Sequence, residues 1–153
     1  SLRVYATKNK DKRIHKSVGE YIEIEKKNRL HKYSTYLQFA EKVGNTKKQS
    51  LEMINKINSE NKKIIGYGAP AKATTALNFF GISEEIDFIV EDNKLKHNKF
   101  IPVVRIPIKN KSQIKNKKNV LIVLAWNFYK DIIKNNSELS ENFINIKDLE
   151  TNN

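Results

Sequence analysis

The stretch "KIIGYGAPAKATTALNFFGI", residues 63–82, decides the fold. "KIIGYG" reads as a short β run ending in glycine, and "PAKATTALNFF" as a helix, with Pro70 suited to a first-turn position where no amide partner is needed. Gly66-Tyr67-Gly68-Ala69-Pro70-Ala71 also fits the dinucleotide fingerprint G-x-G-x-x-G/A. The acidic pair Glu91 and Asp92 follows a little beyond the expected spacing of ~20 residues. Two residues inside the loop complicate that reading. Pro70 has no amide to offer a pyrophosphate, and Lys72 adds a cation near the helix start. Such a loop suits a phosphate group without specifying a dinucleotide, and many such loops only turn a strand into a helix.

Working outward, "IDFIVED" reads as a second strand, and "NKLKHNKFIPVVRIPI" as a loop leading into a short edge strand bounded by Pro102 and Pro107. "SQIKN" offers one helical turn before "NVLIVLAW", a continuous apolar run of the kind buried on both faces of a parallel sheet. "NFYKDIIKN" is helical and "NFINI" makes a last strand. Strands alternating with helices predict an α/β chain, a Rossmann-like, doubly wound and mostly parallel sheet. Toward the N-terminus, Tyr33, Tyr36, Leu37, Ala40, Val43, Leu51, Ile54 and Ile57 recur at three- and four-residue steps. They predict a long amphipathic helix, whole or broken near Gly44. "SVGEYIEIEKKNRL" carries only a weak stripe, and "LRVYA" reads as an extended lead-in. The expected division is therefore a lead-in and helical arm over 1–60 and one compact sheet domain over 61–150.

At 153 residues the chain has about the length of one domain. No apolar run approaches the ~18 residues needed to span a bilayer, and no basic segment followed by an apolar core opens the chain. The start at Ser1 suggests a piece of a longer protein. Zero cysteines exclude a disulfide scaffold and thiolate metal sites, in keeping with a reducing cytoplasm. The net charge of +12, from 29 Lys+Arg against 17 Asp+Glu, invites a nucleic-acid reading. The lysines are scattered beside asparagines, however, without interleaved aromatics, so solvated faces explain them better than a nucleic-acid groove.

Ligands of a doubly wound sheet gather beyond the carboxyl ends of its strands, and three motifs land there. These are the Gly66–Lys72 loop, "VEDNKLK" with Asp92 and Asn93, and "AWNF" with Trp126 and Asn127. Each also has a plain structural reading: Asp92 as a turn acid, Trp126 as core. His15, His31 and His97 are dispersed and lack metal-ligand spacing, and no Ser-His-Asp or paired-carboxylate set is evident. No catalytic or metal-ligating residue is therefore assigned.

"SLRVY", "GYGAPAKATTALNFFGI", "EDNKLKHNKFIPVVRIPI" and "VLIVLAWNF" occur in this order, and from Ser1 to about Ile133 the chain resembles the C-terminal domain of SAM-dependent sugar C-methyltransferases. These enzymes methylate a carbon of a nucleotide-linked deoxysugar. The resemblance implies an upstream cysteine-ligated zinc domain and an upstream methyltransferase domain that binds SAM and supplies the base, a histidine. That base would remove a proton next to a keto group, and the resulting enolate would attack the SAM methyl, so the piece alone would be inactive. The resemblance further implies that Lys72 and the backbone of Tyr67, Gly68 and Ala69 face the diphosphate or sugar, with Asn93, Lys96, Trp126 and Asn127 lining the same cleft. Arg3 and Tyr5 would belong to a strand crossing between domains. The family usually carries a glycine after the proline of "IPVVRIPI", where this chain has Val103. Two other readings stand beside this one: an NAD(P)-dependent oxidoreductase domain, with Asp92 near the ribose, and a non-catalytic module binding a nucleotide or a protein partner.

Overall fold

Strand β1, Ile64–Tyr67, is buried along its whole length because it is the middle strand of five. The computed structural model describes residues 2–149, in the order α1 Lys16–Lys27, α2 Tyr33–Ser59, β1, α3 Ala71–Phe80, β2 Ile86–Val90, β3 Ile108–Lys109, β4 Val120–Val123, α4 Tyr129–Asn136 and β5 Asn142–Asn145. The sheet order is β3-β2-β1-β4-β5 and every paired strand is parallel. The chain moves outward from β1 to one edge, then returns to β4 on the other side. The switch point of the topology therefore lies between β1 and β4.

Side-chain alternation along β1 separates two cores. Ile64 joins Ile54 and Ile57 of α2, Ala73 and Leu77 of α3, and Ile89, Ile122 and Leu124 on one face. Ile65 and Tyr67 join Val90, Leu121, Val123 and Ile132 of α4 on the other. Helices thus cover both faces, as the unbroken apolar run of β4 requires. Each isoleucine fully buried in this way contributes about 1.5–3 kcal/mol. Tyr67 is in register with Val90 and with Val123, so β1, β2 and β4 end together and deliver their following loops to one edge.

The chain divides into two compact units, residues 1–42 and 43–153. The division falls inside α2, whose Ser50, Ile54 and Ile57 are buried, and Ser50 Oγ donates to the Leu149 carbonyl at 2.9 Å. Helix α2 runs unbroken through Gly44. In the first unit the weakly striped segment forms α1, a full helix without a buried residue. Local bonds hold its ends: His15 Nδ1 accepts from Ser17 N, and Asn28 Nδ2 donates to the Ile24 carbonyl. "LRVYA" forms no strand, and Leu2, Val4 and Tyr5 are exposed.

One expected element is displaced. The residues between Pro102 and Pro107 form a tight turn, not the edge strand, which is β3 at Ile108–Lys109. Arg105 N donates to the Ile101 carbonyl and Ile101 N to that of Ile106, so the segment folds back on itself. Val103 sits at φ 70° and Arg105 at φ 54°. A β-branched residue at positive φ is strained, which explains the usefulness of glycine at Val103.

Candidate functional site at the carboxyl edge of the sheet

The two fingerprint glycines are required by neighbouring strands. A Cβ on Gly66 would stand 2.6 Å from Ile89 Cγ1 and 3.1 Å from Leu124 Cδ1. Gly68 has φ +87°, and a Cβ there would meet Ala125 Cβ of the loop after β4 at 2.7 Å. The loops after β1 and β4 therefore touch at the switch point, and Gly68 is what lets them do so.

The polar groups of the loop are partnered as well. Gly68 N donates to the Val90 carbonyl at 2.8 Å, and the Tyr67 carbonyl accepts from Leu124 N at 2.9 Å. Ala69 N donates to Glu91 Oε2 at 2.9 Å, and Asn93 N donates to Glu91 Oε1 at 3.0 Å. Lys96 Nζ bridges the Ala69 carbonyl at 2.9 Å and Glu91 Oε2 at 3.3 Å. Burial alone would raise the pKa of Glu91. The two backbone amides and the Lys96 ammonium outweigh it and hold the carboxyl below its ordinary value. His97 Nε2 lies 2.7 Å from the Glu91 carbonyl, which fixes the turn that returns Lys96 to the loop.

Tyr67 and Asp92 build a separate network on the α4 side. Tyr67 is 1% exposed. Its hydroxyl donates to Asp92 Oδ2 at 3.0 Å, and Asp92 Oδ1 pairs with Lys111 Nζ at 2.9 Å. Lys111 also donates to Asn136 Oδ1 of α4 at 2.8 Å. Burial, followed by the hydrogen bond to Asp92 and its charge, pushes the phenol pKa up, so Tyr67 stays protonated.

Lys72 and Trp126 differ from these groups. Lys72 Nζ lies 3.7 Å from the centroid of the Trp126 ring, a cation–π contact across the switch point. Lys72 has no ion pair among the described residues. Trp126 opens the short 3₁₀ turn Trp126–Phe128; its ring packs partly on the α3-side core, and Asn127 beside it is exposed. Between these two loops the edge therefore presents a cation, an indole and an amide.

Comparison with known proteins decides the family. The family model described as the C-methyltransferase C-terminal domain matches residues 1–145. This chain belongs to that family. It is also similar to "C-methyltransferase NovU" of Streptomyces niveus, with 31% identity over 134 residues, 86% of this chain and 32% of the relative. The chain thus spans about a third of that relative's length.

In this C-methyltransferase C-terminal domain, six of the eight residues expected at the cleft fall into two groups. Ala69, Asn93 and Lys96 come together around Glu91, and Asn93 Oδ1 caps its own turn by accepting from Leu95 N at 3.0 Å. Lys72 and Trp126 form the second group, with Asn127 adjoining. Tyr67 and Gly68 lie beneath both as buried framework. Sequence reasoning underrated Glu91 beside Asp92, and it missed Ala125, Lys111 and Asn136. Glu91 could be suspected from the fingerprint spacing; Lys111 and Asn136 carry no local signal. No described helix is long and apolar enough to cross a membrane.

Proposed function

We propose that this C-methyltransferase C-terminal domain binds the substrate of a SAM-dependent C-methyltransferase, a nucleotide-linked deoxysugar. Lys72, Trp126 and Asn127 are its principal contacts, and Gly68, Ala69, Asn93 and Lys96 form the adjoining wall. The observation that carries the reading is the Lys72–Trp126 stack over the β1/β4 switch point. An ammonium without a carboxylate partner among the described residues can neutralise a diphosphate, while an indole and an amide suit the flat base or sugar hydroxyls next to it.

SAM supplies the methyl group, and the single glycine loop here does not fit it, because Glu91 already holds the Ala69 amide and both its oxygens are engaged. The SAM site and the base that removes the proton next to the keto group are assigned to other parts of the enzyme, which is cytoplasmic on this reading. The role of this chain is to hold and orient the nucleotide-sugar.

Trp126 is the chain's one tryptophan, so its emission reports on the edge directly. Titration with a dTDP-linked deoxysugar should change that emission saturably, Trp126→Phe should weaken binding measured by calorimetry, and SAM alone should leave the emission unchanged. Binding of SAM with no response to any nucleotide-sugar would overturn the reading.

A further inference from the structure

The dinucleotide fingerprint in this chain is complete in sequence, yet its second glycine, its Ala69 amide and the acids after β2 already have internal partners. In a dinucleotide site the second glycine leaves room for the pyrophosphate, the turn's amides face the phosphates, and the acid after the second strand takes the ribose hydroxyls. Here the room at Gly68 is filled by Ala125, whose Cβ lies 2.7 Å from the position of a Gly68 Cβ. The Ala69 amide donates to Glu91 at 2.9 Å. Glu91 Oε1 accepts from Asn93 N, and Oε2 accepts from both Ala69 N and Lys96 Nζ, so neither oxygen faces a ribose without a partner. The second acid, Asp92, is engaged by Tyr67 and Lys111.

We propose that Glu91 is a specificity-determining residue: its carboxylate, clamped by Lys96, stands where a dinucleotide's anionic and ribose groups would make their contacts, so the domain rejects dinucleotides. A ligand's diphosphate is left to the Lys72–Trp126 side, a second clause that rests on the nucleotide-sugar reading above. The chemistry of rejection is direct. Glu91 is a fixed negative charge whose side chain is only 13% exposed, in contact with the amide that a phosphate would need. A pyrophosphate entering there meets a like charge at short range and must first break the carboxylate's bonds to Ala69, Asn93 and Lys96. Lys96 is a weakened counter-ion there, because its ammonium is already shared between Glu91 and the Ala69 carbonyl.

The test uses this chain with ADP-ribose and NADH as probes, read by calorimetry and by Trp126 emission, with circular dichroism to verify folding. Wild type should bind neither probe at concentrations up to about 1 mM, and Glu91→Ala should bind ADP-ribose at least about tenfold more tightly than wild type. Glu91→Gln keeps an acceptor for the Ala69 amide while removing the charge, and serves as the second variant if Glu91→Ala does not fold. It should gain about threefold. Micromolar NADH binding by wild type, or a folded Glu91 variant no tighter than wild type for ADP-ribose, would overturn the proposal. A dTDP-linked deoxysugar is titrated in parallel. Its failure to bind wild type would remove the nucleotide-sugar reading while leaving the ADP-ribose comparison intact.

Discussion

The loop after β1 turns its polar groups inward, with Gly68 N on Val90, Ala69 N on Glu91 and the Ala69 carbonyl on Lys96, whereas the loop after β4 leaves Asn127 and Phe128 in solvent beside a half-buried Trp126. Both loops leave the same edge of the sheet, and in Gly68 and Ala125 they touch. A glycine-rich sequence therefore marks the internally bonded side of the edge, and a tryptophan that first reads as core marks its more exposed side. Glycine marks a place where something comes close to the backbone; whether that something is a ligand or the next strand is decided by what lies across from it.

Breaking the wall should produce the largest effect. Gly66→Val would set buried methyls against Ile89 and Leu124, which already crowd a Cβ at 2.6 and 3.1 Å. Overpacking at so enclosed a position should cost about 3 kcal/mol or more, measured as a fall in the denaturant midpoint, with much of the chain unfolded at 37 °C. Gly68→Ala should follow at about 2 kcal/mol, since the new Cβ combines positive-φ strain with overlap on Ala125. If Gly68→Ala folds with wild-type stability, the two loops do not meet as described.

The open side should respond in binding and not in folding. Lys72→Ala removes one cation–π contact at a half-buried site, so the melting temperature should hardly move. Nucleotide-sugar affinity should fall by about 1–3 kcal/mol, the scale of a charge-assisted hydrogen bond. The loss should shrink as salt rises, because screening weakens the wild-type contact first. A large loss of stability with unchanged affinity would move Lys72 to the wall.

The smallest effect appears only in acid. Glu91 has its folded pKa lowered from the ordinary 4.5, so the stability it contributes is present above that value and is lost as pH falls through the folded pKa. Denaturation midpoints of wild type should therefore decline below about pH 4.5, and Glu91→Gln should decline less over the same window while starting from a lower midpoint at neutral pH. Parallel pH curves for the two proteins would show that the carboxylate does not hold the loop.

The strands and most helices were legible because their signals are local. "IIGY", "IDFIV" and "VLIV" are apolar enough to be strands wherever they lie, and the period of Tyr33 to Ile57 is that of one helix. One local reading failed for a local reason of another kind. The "IPVVRIPI" run has β-type composition, but its two prolines and the positive φ at Val103 and Arg105 turn it before β3. Helix α1 lacks a strong stripe because it buries none of its residues and rests on end caps.

The sequence alone determined most element types, the parallel α/β class, the carboxyl edge as the place of the candidate site, and the candidacy of Lys72, Trp126 and Asn127. It also carried the family resemblance. Tertiary structure alone decided which polar groups at that edge have partners. Glu91 lies 22 residues from Ala69, and Asp92 lies 25 from Tyr67; only the pairing of β1 with β2 brings them within hydrogen-bond distance. Likewise, only the pairing of β1 with β4 sets Ala125 against Gly68 and Trp126 beneath Lys72. The physical reason is that hydrogen bonds and close packing act over a few ångströms in space, whereas sequence patterns report on neighbours along the chain.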